Sequence, residues 1–149
     1  MLGISETDYL SVFTHHERII KELHGKVIFH GRVAHHEALY FLVNSDFSIL
    51  VRPQNRVSNV GFSTKIVESF ACSTPVITND TSDISKYIEN EINGFLIAEK
   101  NLSEIVFTIN KTLGLDASTY AEVRNNCAKY NPFLIDNYID SFKKFIKKR

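Results

Sequence analysis

The sequence predicts an α/β fold in which a parallel sheet carries crossover helices on both faces. Two observations lead there. Short apolar runs alternate with longer segments of helical periodicity along all 149 residues, the pattern of successive βα units. The runs are rich in β-branched and aromatic residues, as strands covered on both faces require.

In chain order, the opening Met1-Leu2-Gly3-Ile4-Ser5 reads as the end of a strand, and a helix is expected over residues 7–23. A strand is expected at 27–29, a helix at 35–43, a strand at 47–51, a helix at 64–72 and a strand at 75–78. A short helix at 84–88 and a strand at 95–97 follow, with Asn93-Gly94 as the turn between them. Asn101 with Glu104 three residues on is a capping-box pattern, and Leu102, Ile105, Val106, Ile109 and Leu113 then repeat at helical spacing, giving a helix at 102–113. A helix is expected at 118–130. Asn131 before Pro132 supplies a cap and a proline at the first helical position, so a last helix is expected over 132–147. No repeat, low-complexity tract or linker interrupts the series, so residues 1–149 read as one domain, and are expected to be an incomplete one, because the opening leaves little room for a first βα unit.

Composition narrows the function. Seventeen basic residues balance seventeen acidic ones, without the basic excess a nucleic-acid binder needs to meet phosphates. No apolar run reaches spanning length and no charged-then-apolar leader opens the chain, which suggests the cytoplasm. Cys72 and Cys127 have no CxxC partner and read as small buried thiols. His15-His16, His30 and His35-His36 raise the question of a metal. Adjacent helical residues point about 100° apart and no HExxH is present, so no metal site is expected.

In doubly wound sheets ligands bind beyond the carboxyl ends of the strands. The richest strand-end loop runs from Arg52 through Pro53, Gln54, Asn55, Arg56, Val57, Ser58, Asn59, Val60, Gly61 and Phe62 to Ser63, just before the helix that starts at Thr64. A helix N-terminus offers unpaired N–H groups and partial positive charge; Ser63, Thr64 and Lys65 add hydroxyls and a cation, a combination that suits a diphosphate. Gly61 suits either a close backbone approach or a positive φ. Glu68, one turn beyond Thr64, is placed to accept hydrogen bonds from sugar hydroxyls. The same residues also suit a surface loop with a capping serine and an exposed Lys65–Glu68 pair. No GxGxxG or GxxxxGK[ST] loop occurs.

The stretch 61–78, GFSTKIVESFACSTPVIT, resembles the donor-binding segment of the family 4 glycosyltransferases, retaining enzymes of the GT-B fold with Rossmann-like domains. VIFHGRV at 27–33, the strand and loop at 46–53 and NGFLI at 93–97 are similar to that family in the same order. The resemblance implies that Glu68 matches the second glutamate of the family's Glu-x7-Glu motif, which holds the nucleotide's ribose. The first glutamate, which contacts the transferred sugar, falls on Val60. A loop glycine falls on Ser63, and the glycine before Thr-Pro falls on Ser73. Gly-Phe-x-Thr-Lys before the glutamate is similar to a branch that assembles surface or capsular polysaccharides.

The resemblance further implies that Arg52, Arg56 and Lys65 neutralise the leaving diphosphate, with Asn79, Thr81 and Ser82 either lining the cleft or forming a polar turn. It implies a nucleotide sugar as donor substrate, no cofactor, a polysaccharide or lipid-linked acceptor, and a separate N-terminal acceptor domain or subunit. The chain is thus expected to be part of the C-terminal, nucleotide-sugar-binding domain of a hexosyltransferase-type enzyme, inactive when isolated. The alternative is a non-catalytic nucleotide-binding or partner subunit of a split glycosyltransferase. No residue is assigned as a catalytic nucleophile or base. Absence of a central strand would expose strand edges and favour self-association.

The C-terminal stripe of Phe133, Tyr138, Ile139, Phe142, Phe145 and Ile146, with Lys143, Lys144, Lys147, Lys148 and Arg149, fits a helix packed on its own domain with cations at its C-terminal end. It also fits peripheral contact with the inner face of an anionic membrane, or a helix crossing back to another domain.

Overall fold

The computed structural model describes residues 1–98 and 101–147. The chain divides into two compact units, residues 1–41 and 42–149.

In the first unit, α1 (Glu6–Val12) is capped by Ser5, whose Oγ accepts from the Asp8 N–H at 3.1 Å. The helix expected over 7–23 is interrupted: α1 ends, a 3₁₀ turn covers Thr14–His16, and α2 (Glu17–Glu22) follows. The break falls at Phe13 (φ −115°, ψ 60°) and lets rings gather. Tyr9 meets Phe13 and Phe29 at centroid distances of 5.0 and 5.3 Å, and its hydroxyl bonds His16 Nδ1 at 2.8 Å. Such ring pairs add about 0.5–1.5 kcal/mol beyond burial, enough to outweigh the few tenths that separate helix propensities.

Residues 27–29 do not form the expected strand. Apart from an isolated bridge between His24 and Val27, the neighbouring backbone bonds to the start of the chain. The Met1 amino group donates to Ile28 O, His30 N–H to Met1 O at 2.9 Å, and Gly3 N–H to Gly31 O at 2.7 Å. α3 (His35–Val43) has the expected bounds.

The second unit holds a parallel sheet of three strands, β1 (Ser48–Leu50), β2 (Val76–Asn79) and β3 (Gly94–Ile97), in that spatial order. Ser48 pairs with Val76, and Val76 with Gly94. β2 is buried at every position because it is central and covered on both sides. Alternation along it separates two cores. Val76 packs with Ile66, Phe70, Ile84, Ile88 and Cys127, whereas Ile77 packs with Phe95, Ile97 and Val123. α5 (Thr64–Ala71) supplies Ile66 and Phe70 to the first core. α6 (Leu102–Leu113) adds Ile105 and Ile109 to the second, and α7 (Ala117–Lys129) serves both through Cys127 and Val123. Each fully buried side chain of this kind contributes about 1.5–3 kcal/mol.

Capping explains several boundaries. Asn101 accepts from the Glu104 N–H at 2.8 Å and Asp116 from those of Ser118 and Thr119, both at 2.9 Å. These bonds and two hydroxyl contacts hold the Asp116 carboxyl well below the usual carboxylate range. At the other end of α5, Ser73 N–H reaches Phe70 O at 3.0 Å and Thr74 N–H reaches Ser69 O at 2.8 Å, the paired bonds of a Schellman motif. Its left-handed position is held by Ser73 at φ 54°.

Two expected helices are shorter than their sequence suggests. Residues 84–88 form only a 3₁₀ turn, Ile84–Lys86, because buried Asn93 takes over the following backbone groups, donating to Tyr87 O at 3.2 Å and accepting from Glu89 N–H at 2.8 Å. Asn131 accepts from Phe133 N–H at 2.9 Å and turns the chain rather than capping a helix. Phe133 then enters the first core, against Phe62, Phe70 and Tyr87 at 5.6, 5.4 and 5.1 Å. A 3₁₀ turn (Ile135–Tyr138) follows, and the last helix begins only at Ile139. Among the described residues no helix is long and apolar enough to cross a membrane.

Candidate functional site

A cleft of about 280 Å³ opens at the carboxyl ends of the strands, lined by Val51, Arg52, Pro53, Gln54, Asn79, Ile97 and Ile105. Its floor is fixed by a reciprocal pair of hydrogen bonds. Asn79 Oδ1 accepts from Arg52 N–H and Asn79 Nδ2 donates to Arg52 O, each at 2.8 Å. Asn79 is buried, so one side chain satisfies both backbone groups where the chain leaves β1. Gln54 Nε2 donates to Asp80 O at 2.7 Å, a second tie between the two strand-end loops.

The loop after β1 is more ordered than its polar composition suggests. Asn55 caps a short helix, α4 (Arg56–Val60), by accepting from Ser58 N–H at 2.9 Å. Gly61 ends α4 with φ −102°, so the positive φ considered from sequence is not what this glycine provides. A Cβ there would meet nothing nearer than Val57 O at 3.6 Å. Arg52 Nη1 donates to Gly61 O at 2.8 Å and closes the loop. The Arg52 guanidinium therefore acts first as a clasp on the loop that leads into α5.

α5 begins after Ser63, whose hydroxyl makes no capping bond, although Ile66 N–H reaches Ser63 O at 3.1 Å. Thr64 and Lys65 are exposed in the first turn, as is Arg56 at the head of α4. Thr64, Glu68 and Cys72 follow one another at one turn's spacing along α5. The Glu68 carboxylate is near enough to Cys72 to raise its thiol pKa, second to the effect of burial. Among the described residues Lys65 and Glu68 form no ion pair with each other. Val60 is 80% exposed on α4.

Thus Arg52 and Asn79 line the strand-end cleft, while Arg56, Gly61, Ser63, Thr64, Lys65 and Glu68 lie outside its lining, along the loop and helix that Arg52 ties to it. Beyond Asn79, the Thr81 hydroxyl is buried with no hydrogen-bond partner, the only such side-chain atom among the described residues. Ser82 follows at φ 61°. Sequence reasoning missed Ile97 and Ile105 as lining residues; their positions at the end of β3 and in the first turn of α6 were the available signal. Among the described residues no three His, Cys, Asp or Glu side chains group as metal ligands would.

Parallel strands, flanking helices and a crevice at the strand ends define a Rossmann-like unit. Residues 14–132 match the family model for glycosyl transferases group 1, and the chain belongs to that family. Solved structures with the same fold include Anabaena HepE in complex with UDP and glucose (18% identity, TM-score 0.72), covering 99% of this chain and 40% of that one. Others are sucrose-phosphate synthase from Thermosynechococcus elongatus (16%, TM-score 0.66, 99% and 37%) and a glycosyltransferase from Rickettsia africae (17%, TM-score 0.67, 99% and 39%). The chain spans about 40% of the length of the structures it matches. No curated protein matches it.

Proposed function

We propose that this chain binds a nucleotide-sugar donor at the strand-end crevice and serves retaining transfer of a hexosyl group to a polysaccharide or lipid-linked acceptor. Family membership supports the transferase class, and the UDP and glucose held by Anabaena HepE support a uridine diphosphate donor. The observation that carries the reading is the connection from cleft to helix: Arg52 lines the crevice and ties it, through Gly61, to the N-terminus of α5. In this reading the first N–H groups of α5, the Thr64 hydroxyl and the Lys65 and Arg56 cations meet the diphosphate. Their positive charge counts most as the diphosphate leaves, when its negative charge grows. Glu68 receives the ribose hydroxyls, and no divalent ion is required. The acceptor side belongs to a further domain or subunit, and the setting is cytoplasmic. The product class in this reading is a surface polysaccharide, as in the branch of family 4 whose Gly-Phe-x-Thr-Lys pattern this chain resembles.

Calorimetric titration with UDP, GDP and their sugar conjugates tests the reading. Saturable binding to one nucleotide class, weakened by Glu68→Ala and unaffected by EDTA, is expected. A folded chain that binds none of them favours the second reading, a non-catalytic partner subunit. The exposed Val60, in place of the carboxylate that family 4 uses at the sugar, speaks for that reading.

A further inference from the structure

The crevice at the strand ends is less polar than the loops around it. Val51, Pro53, Ile97 and Ile105 give it four apolar side chains. Its three polar side chains are engaged with the protein itself. Asn79 uses both ends of its amide on the backbone of Arg52, Gln54 gives Nε2 to Asp80 O, and Arg52 gives Nη1 to Gly61 O. Among the described residues, Gln54 Oε1 and the remaining guanidinium N–H groups of Arg52 are left to meet a ligand there. Volume decides how much of a donor fits. About 280 Å³ lies just below the roughly 300–1,000 Å³ of pockets that enclose a drug-sized ligand, so the crevice takes one ring of a nucleotide sugar and not the whole.

Chain direction decides which ring. α5 follows the loop after β1 and delivers the chain to the start of β2, which lies parallel to β1, so the helix runs away from the carboxyl ends of the strands. On the reading proposed above, on which this inference rests, the diphosphate lies at the N-terminus of α5 and the ribose one turn further on, at Glu68. The nucleoside then points away from the strand ends, and the crevice is left for the sugar at the other end of the diphosphate. We infer that the crevice holds the transferred sugar and selects a 6-deoxyhexose over the matching hexose. A hexose packed here brings more hydroxyls than there are free partners, and each one buried without a partner is penalised. Deoxygenation at C6 puts a methyl group in place of the hydroxyl that projects furthest from the ring, and Val51, Ile97 and Ile105 can enclose it. Gln54 Oε1 accepts from a ring hydroxyl. Apolar pockets reject an added hydroxyl by up to about 100-fold, and for a crevice open on one side a preference of about 10-fold is expected.

Calorimetric titration of the full chain with UDP, UDP-glucose and UDP-6-deoxyglucose tests the inference, since the two conjugates differ by a single oxygen. UDP-6-deoxyglucose should bind about 10-fold more tightly than UDP-glucose. NMR should show intermolecular NOEs from the sugar's methyl protons to the methyl groups of Val51, Ile97 and Ile105. Val51→Thr and, separately, Ile105→Thr place a hydroxyl in the wall with little change of shape, and each should narrow the ratio between the two conjugates. Equal binding of the two, tighter binding of UDP-glucose, NOEs from the methyl to other elements only, or a ratio unchanged in both variants overturns this inference while UDP binding leaves the donor site standing. Failure of the folded chain to bind UDP itself overturns both.

Discussion

Replacing Ser73 by glycine should make the protein more stable. Ser73 holds the left-handed position of the Schellman motif that ends α5, at φ 54°, where a Cβ crowds the neighbouring carbonyl. That conformation costs a non-glycine residue about 1–2 kcal/mol. Glycine removes the crowding and gives back roughly 0.4–1 kcal/mol through the greater freedom of its unfolded chain. Among the described residues the Ser73 hydroxyl makes no hydrogen bond to set against this, so the net gain is about 0.5–1 kcal/mol. For a chain of this size that corresponds to roughly 2–3 °C in melting temperature. Urea unfolding followed by circular dichroism should show a higher midpoint with an unchanged slope. Ser73→Ala, which keeps the Cβ, should show no gain. A Ser73→Gly variant that is neutral or less stable, or an alanine variant that gains as much, would refute the argument from backbone strain.

Other substitutions probe the sheet and the cleft. Gly94→Ala should cost about 1–3 kcal/mol, because a Cβ would lie 3.1 Å from both Ile88 Cγ2 and Val76 O, and the carbonyl is held in a fully buried strand; urea midpoints report it. Asn79→Ala strips two partly buried backbone groups of Arg52 of their partners and should cost about 1–3 kcal/mol by the same measurement. Thr81→Val removes an orphaned buried hydroxyl while keeping its shape, so thermal melts should show a gain of about 1 kcal/mol. Burial pushes the Cys127 thiol up to about 12. Its contribution is fully present below the unfolded thiol's value and is lost as pH rises from there toward the folded one, because the unfolded state ionises first. Cys127→Ala should therefore flatten the decline of stability with alkaline pH relative to the parent chain.

The parts of the fold legible in the sequence were those set by local chemistry. α3 and α6 have their expected bounds, the latter because an asparagine cap and an apolar stripe at helical spacing agree. β2 and β3 fall within a residue of expectation because continuous apolar runs have few other places to go. The parts that escaped depend on distant partners. Nothing near Phe13 announces that Tyr9, His16 and Phe29 will gather and break a helix, and residues 28–31 find hydrogen bonds at the first residues of the chain instead of in the sheet. α4 was signalled by Asn55 three residues before Ser58, but the surrounding polar residues read as loop. At the site, Arg52 was legible as a candidate and its geometry was not: its guanidinium is engaged with Gly61 O, and only the structure brings that carbonyl within reach.

The central claim is that the donor's diphosphate meets the crevice and the N-terminus of α5. Titrating the ¹⁵N-labelled chain with UDP, and following the backbone amides by NMR, tests it most directly and suits weak binding. Saturable shifts concentrated at Gly61, Ser63, Thr64 and Lys65, extending to Arg52 and Asn79, are expected. Shifts confined to other elements, or none at saturating nucleotide, would contradict it.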